Sequence, residues 1–120
     1  MKKFFLMLLA VVGISVAAMA DNDVDIRQGS ATCKVPGAKY ETILAVITRV
    51  EGNRVYFTLT TEYERPVNAQ VRIDIDYSGG VNWRTTGGIA PCCGKESREY
   101  FVTFDHKVTR VDRIHVFIED

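Results

Sequence analysis

The most constraining feature of the chain is the alternation in residues 69–77, AQVRIDIDY. Its apolar and aromatic residues, each separated from the next by one polar residue, are Ala69, Val71, Ile73, Ile75 and Tyr77. Successive side chains of a β-strand point to opposite faces, so a period of two predicts a strand with one face in a core and the other in water. A helix is excluded here, because its apolar side chains would recur every three or four residues.

The same period recurs along most of the remaining sequence. Residues 41–50 and 54–63 flank the turn-forming stretch Glu51-Gly52-Asn53 and predict a hairpin. Further strands are predicted at 100–104 and 114–118, with weaker ones at 23–27 and 81–86. No window shows the apolar recurrence of an amphipathic helix. About seven short strands predict an all-β domain, an antiparallel sandwich of two sheets, with a small β-barrel as the alternative.

The order of these segments resembles that of known sandwich folds. The hairpin is followed by a strand that Arg65-Pro66 introduces, a glycine-rich segment, a cysteine-containing loop and a last strand. This order resembles immunoglobulin-like and fibronectin-III-like sandwiches in outline, although the pair of cysteines that brackets a core tryptophan in antibody domains is missing. The resemblance implies a β-sandwich. It implies no activity, because such folds host many unrelated functions.

The first 20 residues, MKKFFLMLLAVVGISVAAMA, have the pattern of a cleaved signal peptide. Two lysines precede an apolar run, and Ala18-Met19-Ala20 provides the small residues accepted at a cleavage site. The run is shorter than the ~20 apolar residues of a membrane span. We expect an exported chain that is periplasmic, at the cell surface or secreted. It should have a single domain over residues 21–120 and no membrane insertion after cleavage.

The charge balance limits the classes of partner. Without Lys2 and Lys3, the 15 basic residues fall to 13 against 15 acidic ones, a net charge of −2 with both histidines neutral. This balance predicts no binding of nucleic acid, which needs a basic surface. The expected partner is another protein or a component of the cell envelope.

Three cysteines, Cys33, Cys92 and Cys93, allow one intramolecular disulfide in an oxidising compartment. The leading prediction joins Cys33 to Cys92 or Cys93, which would close a ring of about 60 residues and stabilise the fold by ~4 kcal/mol. A vicinal bond between Cys92 and Cys93 is an alternative, as are an intermolecular bridge and a metal thiolate. In the leading case, one of the adjacent sulfurs is left as a free thiol.

Residues able to support catalysis occur without a recognisable arrangement. Asp74 and Asp76 lie on the polar face of an alternating strand, and His115 lies opposite the apolar face of the last strand. The two histidines lack the spacing of a zinc-ligand pair, and no cofactor motif occurs. We therefore expect a protein that is not an enzyme and that has no metal or cofactor. A thiol or redox protein that uses Cys92 or Cys93 is an alternative.

The candidate binding segment is 79–94, which joins a glycine-flanked strand to the cysteine loop. Its predicted binding residues are Trp83, Arg84, Cys92 and Cys93, because tryptophan and arginine are frequent at interaction hot spots and loops carry many binding residues. For Trp83 the sequence offers two roles, capping of the sandwich core and contact with a partner. The sequence thus predicts an exported, non-enzymatic binding or envelope-assembly module, with a small secreted hydrolase or protease inhibitor as the rival.

Overall fold

The computed structural model describes residues 24–94 and 96–118. In these ranges the chain forms eight strands and no helix, so no helix there could span a membrane. The strands are β1 (Asp25–Ile26), β2 (Ser30–Lys34), β3 (Thr42–Glu51), β4 (Arg54–Thr61), β5 (Val67–Tyr77), β6 (Gly80–Ala90), β7 (Arg98–Thr103) and β8 (Val108–Phe117). The predicted signal peptide lies outside the described residues.

The eight strands form two four-stranded sheets. The first sheet has the order β1-β8-β5-β6, and the second has the order β2-β3-β4-β7. Neighbouring strands are antiparallel except β1 and β8, which are parallel. Apolar side chains from both sheets meet in one core. The predicted all-β class is confirmed, and the two sheets form a β-sandwich-like fold.

The structure has eight strands where the sequence predicts about seven. The additional strand is β2, whose inward residues Ala31 and Cys33 are small and only half-buried, so the alternating pattern is weak there. Pairing with β3 over five residues makes this segment a strand. β6 is also longer than the predicted 81–86, because Gly87 and Gly88 continue the pairing with β5.

The alternation of β5 is reproduced by its burial. Its buried residues are Ala69, Val71, Ile73 and Ile75, and the residues between them lie on the outer face of the first sheet. The largest buried side chains of the second sheet are Ile43, Ile47, Phe57 and Leu59. Full burial of one such side chain stabilises the fold by about 1.5–3 kcal/mol. The facing apolar rows therefore hold the two sheets together.

Backbone hydrogen bonds of residues 27–29 close one side of the sandwich. Gln28 O accepts from Ile114 N–H of the first sheet at 3.2 Å. Gly29 O accepts from Ile47 N–H of the second sheet at 2.7 Å. The short connection between β1 and β2 therefore joins the two sheets through main-chain bonds.

The opposite side, between β6 and β7, is closed by side chains, chiefly Tyr100. The ring of Tyr100 points inward from β7 and lies 5.9 Å from the Phe57 ring, centroid to centroid. Its hydroxyl accepts from Ile89 N–H at 2.9 Å and donates to Ile89 O at 3.3 Å. A Cβ on Gly88 would lie 3.0 Å from the Tyr100 ring and 2.9 Å from Leu59 Cδ1. The absence of a side chain at Gly88 is therefore what allows β6 to lie against Tyr100.

Gly88→Ala should lower the free energy of unfolding by about 1–3 kcal/mol, because the new methyl group overlaps the buried Leu59 and the Tyr100 ring. Gly87→Ala is the matched control on the same strand, since its Cβ meets the movable end of the Gln70 side chain at 3.2 Å. We expect the control to stay within about 0.5 kcal/mol of wild type in urea denaturation. Equal losses in both variants would contradict the close approach at Gly88.

Candidate functional site

The hydrogen-bonding direction of β6 identifies a row of backbone groups that point away from β5. β6 pairs with β5 over eleven residue pairs without a bulge, and among the described residues no strand lies on its other side. Ile89 directs its N–H and C=O away from β5, to the Tyr100 hydroxyl. Because this direction alternates along an antiparallel strand, every second residue before Ile89 shares it. These residues are Val81, Trp83, Thr85 and Gly87. We call residues 81–87 the open edge.

The open edge has few of the features that protect sheet edges. Natural edge strands are commonly shielded by lysine, proline, a bulge or short length. The open edge contains neither lysine nor proline, and its one charged residue is Arg84. Val81 and Trp83 are 74% and 54% exposed. An unprotected edge of this kind is a template on which another strand can pair.

Trp83 lies on the outer face of the first sheet. The Arg72 guanidinium carbon is 4.4 Å from the centroid of the indole, and Arg72 Nε donates to Asp74 Oδ1 at 2.8 Å. His115 Nε2 lies 3.5 Å from Asp74 Oδ2. The indole therefore ends a row of side chains that crosses β6, β5 and β8, and Arg72 orients it by a cation–π contact worth about 0.5–1 kcal/mol. Its position on the outer face rules out the core-capping role.

Arg84 lies on the other face of β6 from Trp83. Its Nη2 atom donates to Asp105 Oδ2 at 3.0 Å, in the connection between β7 and β8. Both side chains are exposed, so this ion pair contributes at most about 1 kcal/mol. Alternation along the strand thus separates two residues that the sequence predicted to act together. Trp83 belongs to the outer face, and Arg84 ties β6 to the connection that contains Asp105.

The cysteine pair follows the end of β6. Trp83 and the last strand residue, Ala90, are seven positions apart on β6, which is about 23 Å of extended chain. Cys92 and Cys93 lie beyond Ala90, in the loop that leads to β7. The structure therefore brings Trp83 together with Arg72 and not with the cysteines. The candidate site is therefore limited to the open edge and the neighbouring outer face of the first sheet.

The sulfur atoms of Cys92 and Cys93 lie at disulfide distance from each other. Cys33 has no sulfur partner in the structure. This arrangement corrects the leading prediction, which bonded Cys33 to Cys92 or Cys93, and it corresponds to the vicinal alternative. The predicted covalent link between the N-terminal segment and the cysteine loop is replaced by hydrogen bonds between strands.

Strand order explains why Cys33 lies far from the loop. Cys33 pairs with Ile43 of β3, and Ile43 pairs with Thr61 of β4. The loop lies one step further, since Thr61 N–H donates to Pro91 O at 3.2 Å and Gly94 N–H donates to Thr61 O at 2.8 Å. Three steps of about 4.8 Å place Cys33 about 14 Å from the loop backbone. A disulfide needs Cα atoms within about 7 Å.

The chemistry of the cysteines gives little support to a thiol enzyme. Burial raises the pKa of Cys33 above its ordinary value, because the charged thiolate is poorly solvated there. A nucleophilic cysteine needs the opposite shift, and two sulfurs bonded to each other have no thiolate to offer. Within residues 24–94 and 96–118, no three His, Cys, Asp or Glu side chains are grouped as metal ligands.

The neighbours of Trp83 are the residues that sequence reasoning missed. Asp74 and Arg72 appear in the sequence only as polar positions of an alternating strand, and His115 as a solvent-facing residue. The pairings Asp74–Trp83 and Arg72–His115 bring these four side chains onto adjoining strands. Only the register between strands would have identified them, and the polar, glycine-containing sequence of β6 specifies its own register weakly.

Comparisons with known proteins leave the family of the chain open. No protein-family model matches it, and no curated protein or solved structure is significantly similar to it. The geometry of the described residues is therefore the basis for a functional proposal.

Cys33→Ala should lower the free energy of unfolding by about 1 kcal/mol or less, because it removes one half-buried sulfur atom. Loss of a long-range disulfide would instead cost ~4 kcal/mol. Urea denaturation of the two proteins measures the difference. Alkylation of the unfolded, unreduced protein is the control, and peptide mapping should find one alkyl group, on Cys33. Recovery of Cys33 in a disulfide-linked peptide would contradict the assignment.

Alkylation of Cys33 in the folded protein should require a higher pH than in the urea-unfolded protein. Burial raises the pKa of the folded thiol, so less thiolate is present at a given pH. By the same linkage, the stability contributed by this group is present below the unfolded pKa and is lost as pH rises through the folded pKa. Iodoacetamide labelling rates across a pH series measure the displacement. A folded protein that reacts as fast as the unfolded one at every pH would overturn the expectation.

Proposed function

We propose that the chain is an exported, non-enzymatic binding or envelope-assembly module that binds a protein partner by strand addition at the open edge. The observation that carries the proposal is the row of backbone groups over residues 81–87 that point away from β5 and pair with no described strand, beside the exposed indole of Trp83. In strand addition, main-chain hydrogen bonds provide affinity and alternate side chains provide specificity. The open edge offers both.

Trp83 is the expected anchor of the interaction. Tryptophan is among the residues that dominate binding energy at interfaces. Its indole is already oriented by Arg72, so binding costs little additional side-chain freedom. Each net main-chain hydrogen bond along the strand adds about 0.5–1.5 kcal/mol. Together these contributions favour a specific complex over a loose contact.

The charges beside Trp83 favour a protein strand over a polyanion. Arg72 is paired with Asp74, and Arg110 is paired with both Asp76 and Asp112. Because Arg72 and Arg110 each have a carboxylate partner, the part of the face beside Trp83 offers no field of one sign to attract nucleic acid. Neighbouring charges that neutralise each other allow a polypeptide to approach the edge without a large electrostatic cost.

Of the predicted immunoglobulin-like or fibronectin-III-like sandwich, we propose only the two-sheet architecture. In immunoglobulin domains the last two strands are neighbours in one sheet. Here β7 and β8 belong to different sheets. The proposed function therefore depends on the open edge and draws on no property of those families.

The alternative functions have weaker support from the cysteine loop. Thr60 Oγ1 donates to Glu96 O at 2.8 Å, and Gly94 N–H donates to Thr61 O at 2.8 Å, so the loop is bound to the end of β4. A hydrolase inhibitor would need a segment that protrudes into an active site. A thiol-dependent protein would need the vicinal pair to be reduced before it could react.

A photoreactive amino acid placed at Thr85 should form a discrete protein adduct in the cells that export the chain. The same probe at Thr32, an exposed threonine on the edge strand β2, is the control and should form none. Thr85 lies in the centre of the open edge, so a paired strand would lie within reach of the probe. Denaturing gel electrophoresis followed by mass spectrometry measures the adduct.

Aromatic truncation provides the second arm of this test. Trp83→Ala should reduce the adduct at position 85 several-fold, as expected when about 1 kcal/mol or more of binding is removed. Phe101→Ala is the matched control, because Phe101 is 48% exposed on the outer face of the second sheet, whereas Trp83 lies on the outer face of the first. Equal adducts at positions 85 and 32, or equal effects of the two truncations, would rule out the open edge as the binding surface.

A further inference from the structure

The open edge is complementary to itself, and from this complementarity we propose that its partner is a second copy of the chain. The two β6 strands pair antiparallel about a two-fold axis at Thr85. This inference rests on the proposed function, since it names the partner for the same edge. In a two-fold interface every contact between two residues occurs twice, so one strand must fit its own reverse.

Side chains fit in this register. Thr85 faces Thr85 of the second copy, Trp83 faces Gly87, and Val81 faces Ile89. All of these side chains lie on the outer face of the first sheet, because every second residue of β6 points to the same face as Trp83. Each indole covers the strand position that has no side chain, an arrangement that compensates for glycine in a sheet. The exposed apolar side chains of both copies are covered at once.

Backbone groups fit in the same register. The Thr85 pair and the two Trp83–Gly87 pairs would form about six main-chain hydrogen bonds, because directly opposite residues of this type exchange two each. In the single chain Trp83 N–H donates to Asn82 Oδ1 at 2.8 Å, and Gly87 O accepts from Thr86 Oγ1 at 3.5 Å. Both half-buried side chains would turn away when the backbone groups pair with the second copy. Ile89 is not required, since its N–H and C=O are bonded to Tyr100.

Charge and hydrogen bonding distinguish this register from the two neighbouring registers, with the axis at Arg84 or at Thr86. An axis at Arg84 would place two guanidinium groups directly opposite each other, which destabilises a strand pair. An axis at Thr86 would draw on Ile89, whose backbone groups are already bonded within the chain. With the axis at Thr85, each Arg84 faces a threonine of the second copy and keeps Asp105 as its own partner.

Pairing about a two-fold axis also ends the assembly at two copies. The contact uses the open edge of both chains and leaves neither of them free. The other edge of the first sheet is β1, which has only two residues and offers little for further pairing. The product is one continuous sheet through both copies, with the second sheets attached to it.

Charge exchange at the axis tests the proposal on the mature chain. The wild type should form a reversible dimer in sedimentation equilibrium experiments over a wide concentration range. Thr85→Lys and Thr85→Glu should each raise the dimer dissociation constant about tenfold or more, because like charges then face each other at the axis. An equimolar mixture of the two variants should dimerise again. Thr32→Lys and Thr32→Glu are the controls on β2 and should leave dimerisation unchanged.

Disulfide capture at the axis gives an independent readout. Directly opposite residues of this type have Cα atoms about 5.5 Å apart, within the range of a disulfide. In a Cys33→Ala background, Thr85→Cys should form a covalent dimer under mild oxidation, and Thr32→Cys should not. This readout stands even where one of the charged variants fails to fold.

Three results would overturn the inference. These are a wild type that is monomeric at every concentration, a dimer that the Thr85 variants leave unchanged, and a charged mixture that does not dimerise. The photo-adduct at position 85 separates this failure from failure of the proposed function. An adduct with the mass of two copies supports both proposals. An adduct with a different protein, together with a monomeric purified chain, preserves the proposed function and rejects the second copy as partner.

Discussion

The close contact between Gly88 and the Tyr100 ring determines how the side of the sandwich between β6 and β7 is closed. Because Gly88 has no side chain, Tyr100 comes near enough for its hydroxyl to bond both backbone groups of Ile89. The Tyr100 side chain thereby satisfies the outward backbone groups of Ile89, as a paired strand would satisfy those of the whole edge. Between Val81 and Gly87, the outward backbone groups that have a described partner are bonded by side chains of β6 itself, Asn82 and Thr86. The contact at Gly88 therefore closes one end of the edge and sets the limit of the part that stays open.

The two sides of the sandwich are closed by different means. On the side of β8, the chain itself passes from one sheet to the other. Residues 27–29 of this connection are hydrogen-bonded to both sheets. On the side of β6, the sheets meet through the Tyr100 side chain and the Arg84–Asp105 ion pair. On the first side, β1 has only two residues, and the main-chain groups of residues 27–29 are used for these bonds. On the second side, β6 has eleven residues, and the backbone groups of residues 81–87 point away from β5, which is why a partner is expected there.

Strands were predictable from the sequence wherever alternation was strong, as in β5 and in the hairpin of β3 and β4. β2 was missed because its inward residues, Ala31 and Cys33, give little apolar contrast. Trp83 was selected from the sequence as a candidate binding residue, whereas its neighbours depend on the register between strands. The Cys33 prediction failed for the same reason, since β3 and β4 lie between β2 and the cysteine loop. Local pattern predicts which faces are buried, whereas the order of strands in a sheet depends on contacts distant in sequence.

The position of Trp83 has an optical consequence. It is the only tryptophan in the chain, so all indole emission comes from one place on the surface, beneath the Arg72 guanidinium. Covering or uncovering that ring changes the polarity around it, while the five tyrosines are distributed over other parts of the chain. Selective excitation of the indole therefore reports on the state of the β6 edge without any label. The protein contains its own spectroscopic probe at the surface where a partner is expected.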